Sequence, residues 1–185
     1  NKEGIVLPEI LTKTIVINGL DELKKIMKIK SGDIFPNVEV FQVSEKGPEA
    51  VSTKKLLENN KVLLIAVPGA FTPTCAKDHL PGFIKNIDNF FNKGIDKIYV
   101  VSVNDPFVMD SWIKSYDEKQ INYFADSNAD LMEKSGFSLD LSVIGLGMRL
   151  SRFVMIIDNC VVKEIFDENG GGLEKSKAEA ILESI

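Results

Sequence analysis

The chain is poor in several residue types on which whole classes of protein depend. It holds only two cysteines, Cys75 and Cys160, in 185 residues. So few argue against a disulfide scaffold and for a reducing compartment. Histidine occurs once, at His79, so a zinc site built on Cys75, Asp78 and His79 lacks the further Cys or His ligands that would complete it. Arginine occurs twice, at Arg149 and Arg152, and lysine supplies the other positive charges. No basic block or aromatic-interleaved Lys/Arg stripe is present, which counts against nucleic-acid binding. No apolar run approaches the ~18–20 residues of a membrane helix. No internal repeat or low-complexity tract is visible.

What is present fits one globular α/β domain. The chain is 44% apolar and 26% charged, with a net charge of −5. It is long enough to bury a sizeable core. Its organising stretch is Pro68-Gly69-Ala70-Phe71-Thr72-Pro73-Thr74-Cys75 and the following Ala76 to Phe83. The aliphatic run Val62–Val67 precedes it and reads as a buried strand. Pro68 and Gly69 stop that strand, and a helical pattern runs from Cys75 to Asn92, with a kink expected at Pro81-Gly82. Cys75 therefore stands where a strand's carboxyl end meets a helix's amino end. Unpaired N–H groups and the positive dipole end favour an anion there, and a thiolate is such an anion. Thr72 is placed to offer its hydroxyl to the sulfur. The bland alternative is a small buried apolar cysteine.

The remaining chain alternates strands and helices. Strands are expected at 38–43, 97–103, 121–125, 148–157 and 161–166, the last two as a hairpin turning at Asn159-Cys160. Helices are expected at 53–58 capped by Ser52, after Asn104-Asp105-Pro106, at 129–135 capped within Asp126-Ser127-Asn128, and at 173–185. Gly47-Pro48 reads as a break, 138–147 as a loop and 167–172 as a glycine-rich loop. Residues 1–30 read as an N-terminal extension, with possible short strands at Val6-Leu7 and Thr14–Ile17 and helical character over 21–28. Residues 31–185 form the domain. The element order predicts a mixed central sheet with helices on both faces.

Pro68-x-x-x-Thr72-x-x-Cys75 resembles the active-site motif of the peroxiredoxins. The longer string PGAFTPTC with HLPGF, read from residues 68–83, resembles the type-V branch, including the one-cysteine antioxidant proteins of apicomplexan parasites. The likeness runs from about Ser31 to about Leu173. It implies a thioredoxin-like fold and a thiol peroxidase with no bound cofactor or metal. In that reading Cys75 is the nucleophile that becomes a sulfenic acid. The backbone N–H groups of Thr74 and Cys75, the Thr72 hydroxyl and an arginine stabilise charge on the peroxide oxygens. Arg152-Phe153 matches the arginine's position in the branch. Arg149 does not, and it reads as a surface salt bridge on the opposite side of a shared strand. Pro68 shapes the loop. The likeness makes His79 a supporting residue of the pocket, against a less favoured Cys–His nucleophile pair. Phe71, Phe83, Phe107 and Leu146 are candidates for lining the pocket or a dimer face.

Many type-V relatives carry a resolving cysteine after the hairpin, but Gly172 to Ser176 contains none. Cys160 falls in the hairpin turn instead. The resemblance then implies a one-cysteine enzyme acting on hydrogen peroxide and small alkyl hydroperoxides. Its sulfenic acid is resolved by an external thiol, glutathione with glutaredoxin, or by thioredoxin. A homodimer is expected. The resemblance implies that the extension remains from a targeting sequence, for a plastid-like organelle (apicoplast) or mitochondrion with the cytoplasm as alternative; an ornamental N-terminal flap is the equal alternative for the extension itself. A thiol–disulfide oxidoreductase is disfavoured because position 78 is aspartate, so Cys-x-x-Cys is absent. A thioredoxin-fold redox sensor or binding module is the remaining rival.

Overall fold

The computed structural model describes residues 28–185, so the strands expected at 6–7 and 14–17, and the helix over 21–28 except its last residue, lie outside the described part. The strands are β1 (Glu39–Ser44), β2 (Gly47–Ser52), β3 (Lys61–Ala66), β4 (Lys97–Ser102), β5 (Ile121–Ala125), β6 (Ser138–Leu141), β7 (Gly147–Leu150), β8 (Phe153–Asp158) and β9 (Val161–Asp167). The helices are α1 (Thr53–Leu57), α2 (Leu80–Lys85), α3 (Ile87–Asn92), α4 (Pro106–Lys114), α5 (Asp130–Ser135) and α6 (Ala178–Ser184). A π-helical turn over Cys75–His79 precedes α2.

Seven strands form one sheet in the order β2-β1-β5-β4-β3-β8-β9, and β6 and β7 pair separately. β3 runs parallel to β4 and antiparallel to β8, so the sheet is mixed. Alternation along β3 separates two cores. Leu63, Ile65 and Val67 pack with Phe83, Phe90, Met109, Trp112 and Ile181, from α2, α3, α4 and α6. Val62, Leu64 and Ala66 pack with Leu57, Leu131 and Met132, from α1 and α5. Helices thus cover both faces, as a strand buried on both sides requires. The fold is the expected thioredoxin-like α/β arrangement.

Caps behave largely as expected. Ser52 accepts from Lys55 N at the start of α1, and Asp105 from Val108 N at the start of α4. Asp126 accepts from Leu131 N and Met132 N at 3.0 and 2.9 Å. Asn104 does something else. Its Oδ1 accepts from Ala70 N at 3.0 Å and from Ser102 Oγ at 2.7 Å, tying the cysteine loop to the end of β4.

Five boundaries differ from expectation, each for a local reason. Gly47-Pro48 does not end the sheet but begins β2, because Gly47 takes a φ of +111° and Pro48 lies on an edge strand. Residues 138–147 are not all loop, since β6 pairs there with β7. The strand expected over 148–157 is two strands. Between them Ser151 N donates to Phe137 O and Arg152 N to Gly170 O, so the chain changes sheets at Ser151-Arg152. The last helix begins only at Ala178, because the Glu168 carboxylate captures the amides of Glu174 and Ser176. The helix after Cys75 does not kink at Pro81-Gly82. It starts as a π-turn, with Leu80 N donating to Cys75 O, and breaks at Asn86. Pro81 has no N–H to return to the carbonyl four residues earlier, which accounts for the loose turn ahead of it.

Candidate active site

β3 ends against Pro68, which is buried, and the chain turns back through Gly69 to Cys75. Gly69 permits a close approach: a Cβ there would lie 3.0 Å from Thr72 Cγ2, and the threonine would have to give way. Phe71 takes a φ of +61°, rare outside glycine and costly for an aromatic residue. The cysteine loop is therefore shaped by tight packing and held by Asn104.

Cys75 is 1% exposed. Thr74 and Cys75 stand in the first helical turn, where a helix has no carbonyl to offer their N–H groups. Arg152, 2% exposed, donates from Nη2 to the Cys75 sulfur at 3.2 Å. Its Nη1 lies 2.9 Å from His79 Nδ1. His79 Nε2 lies 2.9 Å from the Ser176 carbonyl. A guanidinium only donates and a carbonyl only accepts, so Nδ1 carries the lone pair and Nε2 the hydrogen. His79 is neutral. Burial, and then the adjacent Arg152 charge, lower its pKa from 6.5 to about 4. Behind it the Phe83 ring makes an edge contact at 5.4 Å between centroids, so Phe83 belongs to the core.

This geometry removes the Cys–His pair. Both His79 nitrogens are committed, one to Arg152 and one to Ser176, and neither is left to take the thiol proton. The Thr72 hydroxyl donates to Gly69 O at 2.8 Å rather than to the sulfur, which leaves its oxygen as an acceptor beside the loop. Phe71 and Phe107 are 55% and 59% exposed, so core packing does not describe them. Leu146 is half-buried, and its carbonyl accepts from Arg149 Nε at 2.6 Å.

Arg149 and Arg152 do not share the single strand expected of them, so the expected opposite-side placement does not hold: Arg149 lies in β7 and Arg152 in the crossing after it. Arg149 Nη1 donates to Val103 O at 2.8 Å and lies 3.7 Å from where a Gly69 Cβ would stand. It makes no ion pair among the described residues. Both arginines therefore border the cysteine loop, one on carbonyls and one on sulfur.

Sequence reasoning missed Glu168, Ser176, Tyr116 and the reach of Asn104. Tyr116 accepts from Trp112 Nε1 at 3.1 Å and donates to Ala76 O at 2.8 Å, fastening α4 to the π-turn. No spacing rule signals such links between distant segments. Cys160 sits at the other end of the sheet. β3 and β8 pair Lys61 with Asp158 and Ala66 with Phe153, so the Asn159-Cys160 turn lies beyond the amino end of β3, while Cys75 lies beyond its carboxyl end. At ~3.3 Å per residue the length of β3 alone separates them by more than a disulfide spans. A groove of about 740 Å³ between β1–β2 and α4, lined by Gln42, Tyr99 and Tyr123 among others, contains none of these site residues. Among the described residues no group of three or more His, Cys, Asp or Glu could hold a metal ion, and no helix is long and apolar enough to cross a membrane.

A buried thiol with a helix terminus on one side and a buried arginine on the other can hold an anionic sulfur and offer donors to an oxygen atom bound against it. Known proteins resemble this chain in sequence and fold. The Redoxin family model matches residues 30–182. Peroxiredoxin-2D of Arabidopsis thaliana is 42% identical over 159 residues, covering 85% of this chain and 98% of its own. The crystal structure of reduced Prx3 of Vibrio vulnificus in complex with H2O2 superposes with a TM-score of 0.80 at 40% identity, covering 84% of this chain and 98% of that one. The Plasmodium falciparum antioxidant protein, a 1-Cys peroxiredoxin, does so with a TM-score of 0.80 at 33% identity, covering 84% and 98%.

Proposed function

The chain belongs to the peroxiredoxin family and is a thiol-dependent peroxidase; from that premise we propose that Cys75 works alone, as a one-cysteine enzyme of the type-V kind, with glutathione as its reductant. The contact of Arg152 Nη2 with the Cys75 sulfur, backed by His79, is the observation that carries the assignment of roles. The Cys75 thiolate attacks the terminal oxygen of the hydroperoxide. An S–O bond forms and the O–O bond breaks. The sulfur becomes a sulfenic acid, and the leaving oxygen departs as water or alcohol after taking a proton. Arg152 and the N–H groups of Thr74 and Cys75 are the donors available as charge moves from sulfur to the leaving oxygen. Thr72 can accept a hydrogen bond from the bound peroxide.

Within the subunit Cys160 is out of reach, and the 185 residues hold no third cysteine that could resolve the sulfenic acid. An external thiol must do so. Glutathione forms a mixed disulfide with loss of water, and a second thiol, delivered by glutaredoxin, releases Cys75. Hydrogen peroxide and small alkyl hydroperoxides suit a sulfur this enclosed, and peroxynitrite is a further candidate. The 33% identity to the Plasmodium antioxidant protein supports the one-cysteine reading. Two free cysteines and no disulfide suit a reducing compartment, for which a plastid-like organelle or mitochondrion is proposed ahead of the cytoplasm.

Exposed Phe71, Phe107, Val143, Ile144 and Met148 support a homodimer. They lie on or beside the segments that Arg149 and Asn104 tie to the cysteine loop, Phe107 at the start of α4 and Met148 in β7.

Intact mass of the reduced protein, after one equivalent of hydrogen peroxide and then glutathione, tests the reading. One added oxygen, replaced by a glutathione adduct on Cys75, supports it. Loss of two hydrogens with Cys75 joined to Cys160 overturns the resolving step. Unchanged mass with peroxide left in solution overturns the peroxidase.

A further inference from the structure

We infer that Glu168 is a positioning residue for this site: through Ser176 it sets which nitrogen of His79 carries the hydrogen, and thereby aims Arg152 at the sulfur. The inference rests on the peroxidase reading above and extends it to a loop with no contact to Cys75. Glu168 Oε1 accepts from Glu174 N at 2.7 Å, Ser176 N at 2.7 Å and Ser176 Oγ at 3.0 Å. These bonds fold residues 174–176 around one carboxylate oxygen and keep them out of α6. Ser176 is fully buried, and the bend directs its carbonyl at His79 Nε2. The tautomer follows. A lone pair is left on Nδ1, and that lone pair is what Arg152 Nη1 meets. With the other tautomer an N–H would face the guanidinium N–H, and Arg152 would have to turn away.

The same loop holds the other end of Arg152. Glu168 N donates to Arg152 O at 3.1 Å, and Arg152 N donates to Gly170 O at 2.7 Å. Backbone and side chain of the arginine are thus fixed from one short segment. The charged groups facing His79 are Arg152 and Glu168, with Cys75 beyond Arg152. Partial burial raises the Glu168 carboxyl pKa, but the bonds from Ser176, Glu174 and Lys175 outweigh it and hold it below the ordinary range.

A loop staple with only a structural role would lower stability without touching the imidazole, so the test reads the imidazole directly. His79 is the only histidine, and the 15N spectrum of the reduced protein contains one ring. The Nε2–H tautomer is expected in the wild type. Glu168→Ala should give a tautomer mixture and kcat/KM for peroxide lower by about tenfold, the loss of one charge-assisted hydrogen bond. Glu168→Gln keeps the accepting oxygen and should restore the single tautomer. Glu168→Asp withdraws that oxygen by one methylene and should reproduce the mixture, which decides the matter if the alanine variant does not fold. An unchanged Nε2–H tautomer in both Glu168→Ala and Glu168→Asp overturns the proposal, as does a Glu168→Gln spectrum matching that of alanine. The spectrum needs no peroxide, so its outcome is separate from whether Cys75 turns peroxide over.

Discussion

Arg152 and Cys75 are 77 residues apart in sequence and 3.2 Å apart in space, and both are almost wholly buried. A buried guanidinium is costly unless its donors are used. Here Nη2 meets sulfur, Nη1 meets His79 Nδ1, and Nε lies 3.4 Å from Gly171 O. One planar fork serves three partners, and two of them set how the third is held.

Arg152→Lys should therefore lose activity while keeping the charge. A single ammonium cannot bridge Sγ and Nδ1 in the fixed geometry of a guanidinium. The lost charge-assisted bonds are worth about 1.5–3 kcal/mol, or roughly 10–100-fold in kcat/KM. Stopped-flow peroxide consumption measures it. Turnover within twofold of wild type would show that charge alone suffices.

His79 gives the fold a pH dependence of definite sign. Its folded pKa of about 4 lies below the ordinary 6.5, so the neutral ring is the native form. The unfolded chain gains a proton below pH 6.5 that the folded chain takes up only near 4. Stability from this group is full above pH 6.5 and is lost as pH falls toward 4. Between pH 7 and 5.5 the loss should be about 1 kcal/mol, before most carboxylates titrate. Urea midpoints should fall over that window in the wild type and stay flatter in His79→Gln. Equal slopes in both proteins would remove His79 as the cause.

The strand–loop–helix around Cys75 and the central strands were legible because each is local: an unbroken aliphatic run, a proline stop, a helical stripe. Arg152 was found through the motif resemblance, not through periodicity. Periodicity misled in its neighbourhood, since residues 148–157 look continuous while Ser151-Arg152 changes sheets. Glu168 and Ser176 were illegible for a different reason. Their partners lie in another segment, and a glutamate after a glycine-free strand carries no local sign of what it will bind. β2 was hidden by Gly47-Pro48, a turn signal that an edge strand tolerates.

Cys160→Ser should leave peroxide turnover within about twofold of wild type, as expected of a surface change remote from the chemistry. Its sulfur lies 3.7 Å from Lys54 O at the opposite end of β3 from Cys75, and partial burial raises its thiol pKa. Oxidised wild type and Cys160→Ser should migrate alike on non-reducing gels. A faster-migrating species present only in the wild type would reveal an internal disulfide and a rearrangement of the sheet.

Phe107→Glu should separate the proposed dimer. Phe107 is 59% exposed in the first turn of α4, next to the Val103–Asn104 segment that Arg149 and Ala70 tie to the cysteine loop. Val143 is fully exposed and Ile144 68% exposed on the neighbouring excursion between β6 and β7. These exposed apolar side chains are the ones the proposed dimer would cover. A glutamate buried there without a partner would cost several kcal/mol, or at least about 100-fold in dimer affinity. The same change on a free surface would cost almost nothing in folding stability. Sedimentation equilibrium distinguishes the cases. A wild-type dimer and a Phe107→Glu monomer with an unchanged melting temperature would place the interface on this rim. A variant that remains dimeric would move the interface elsewhere and leave the exposed rim without a partner of its own kind.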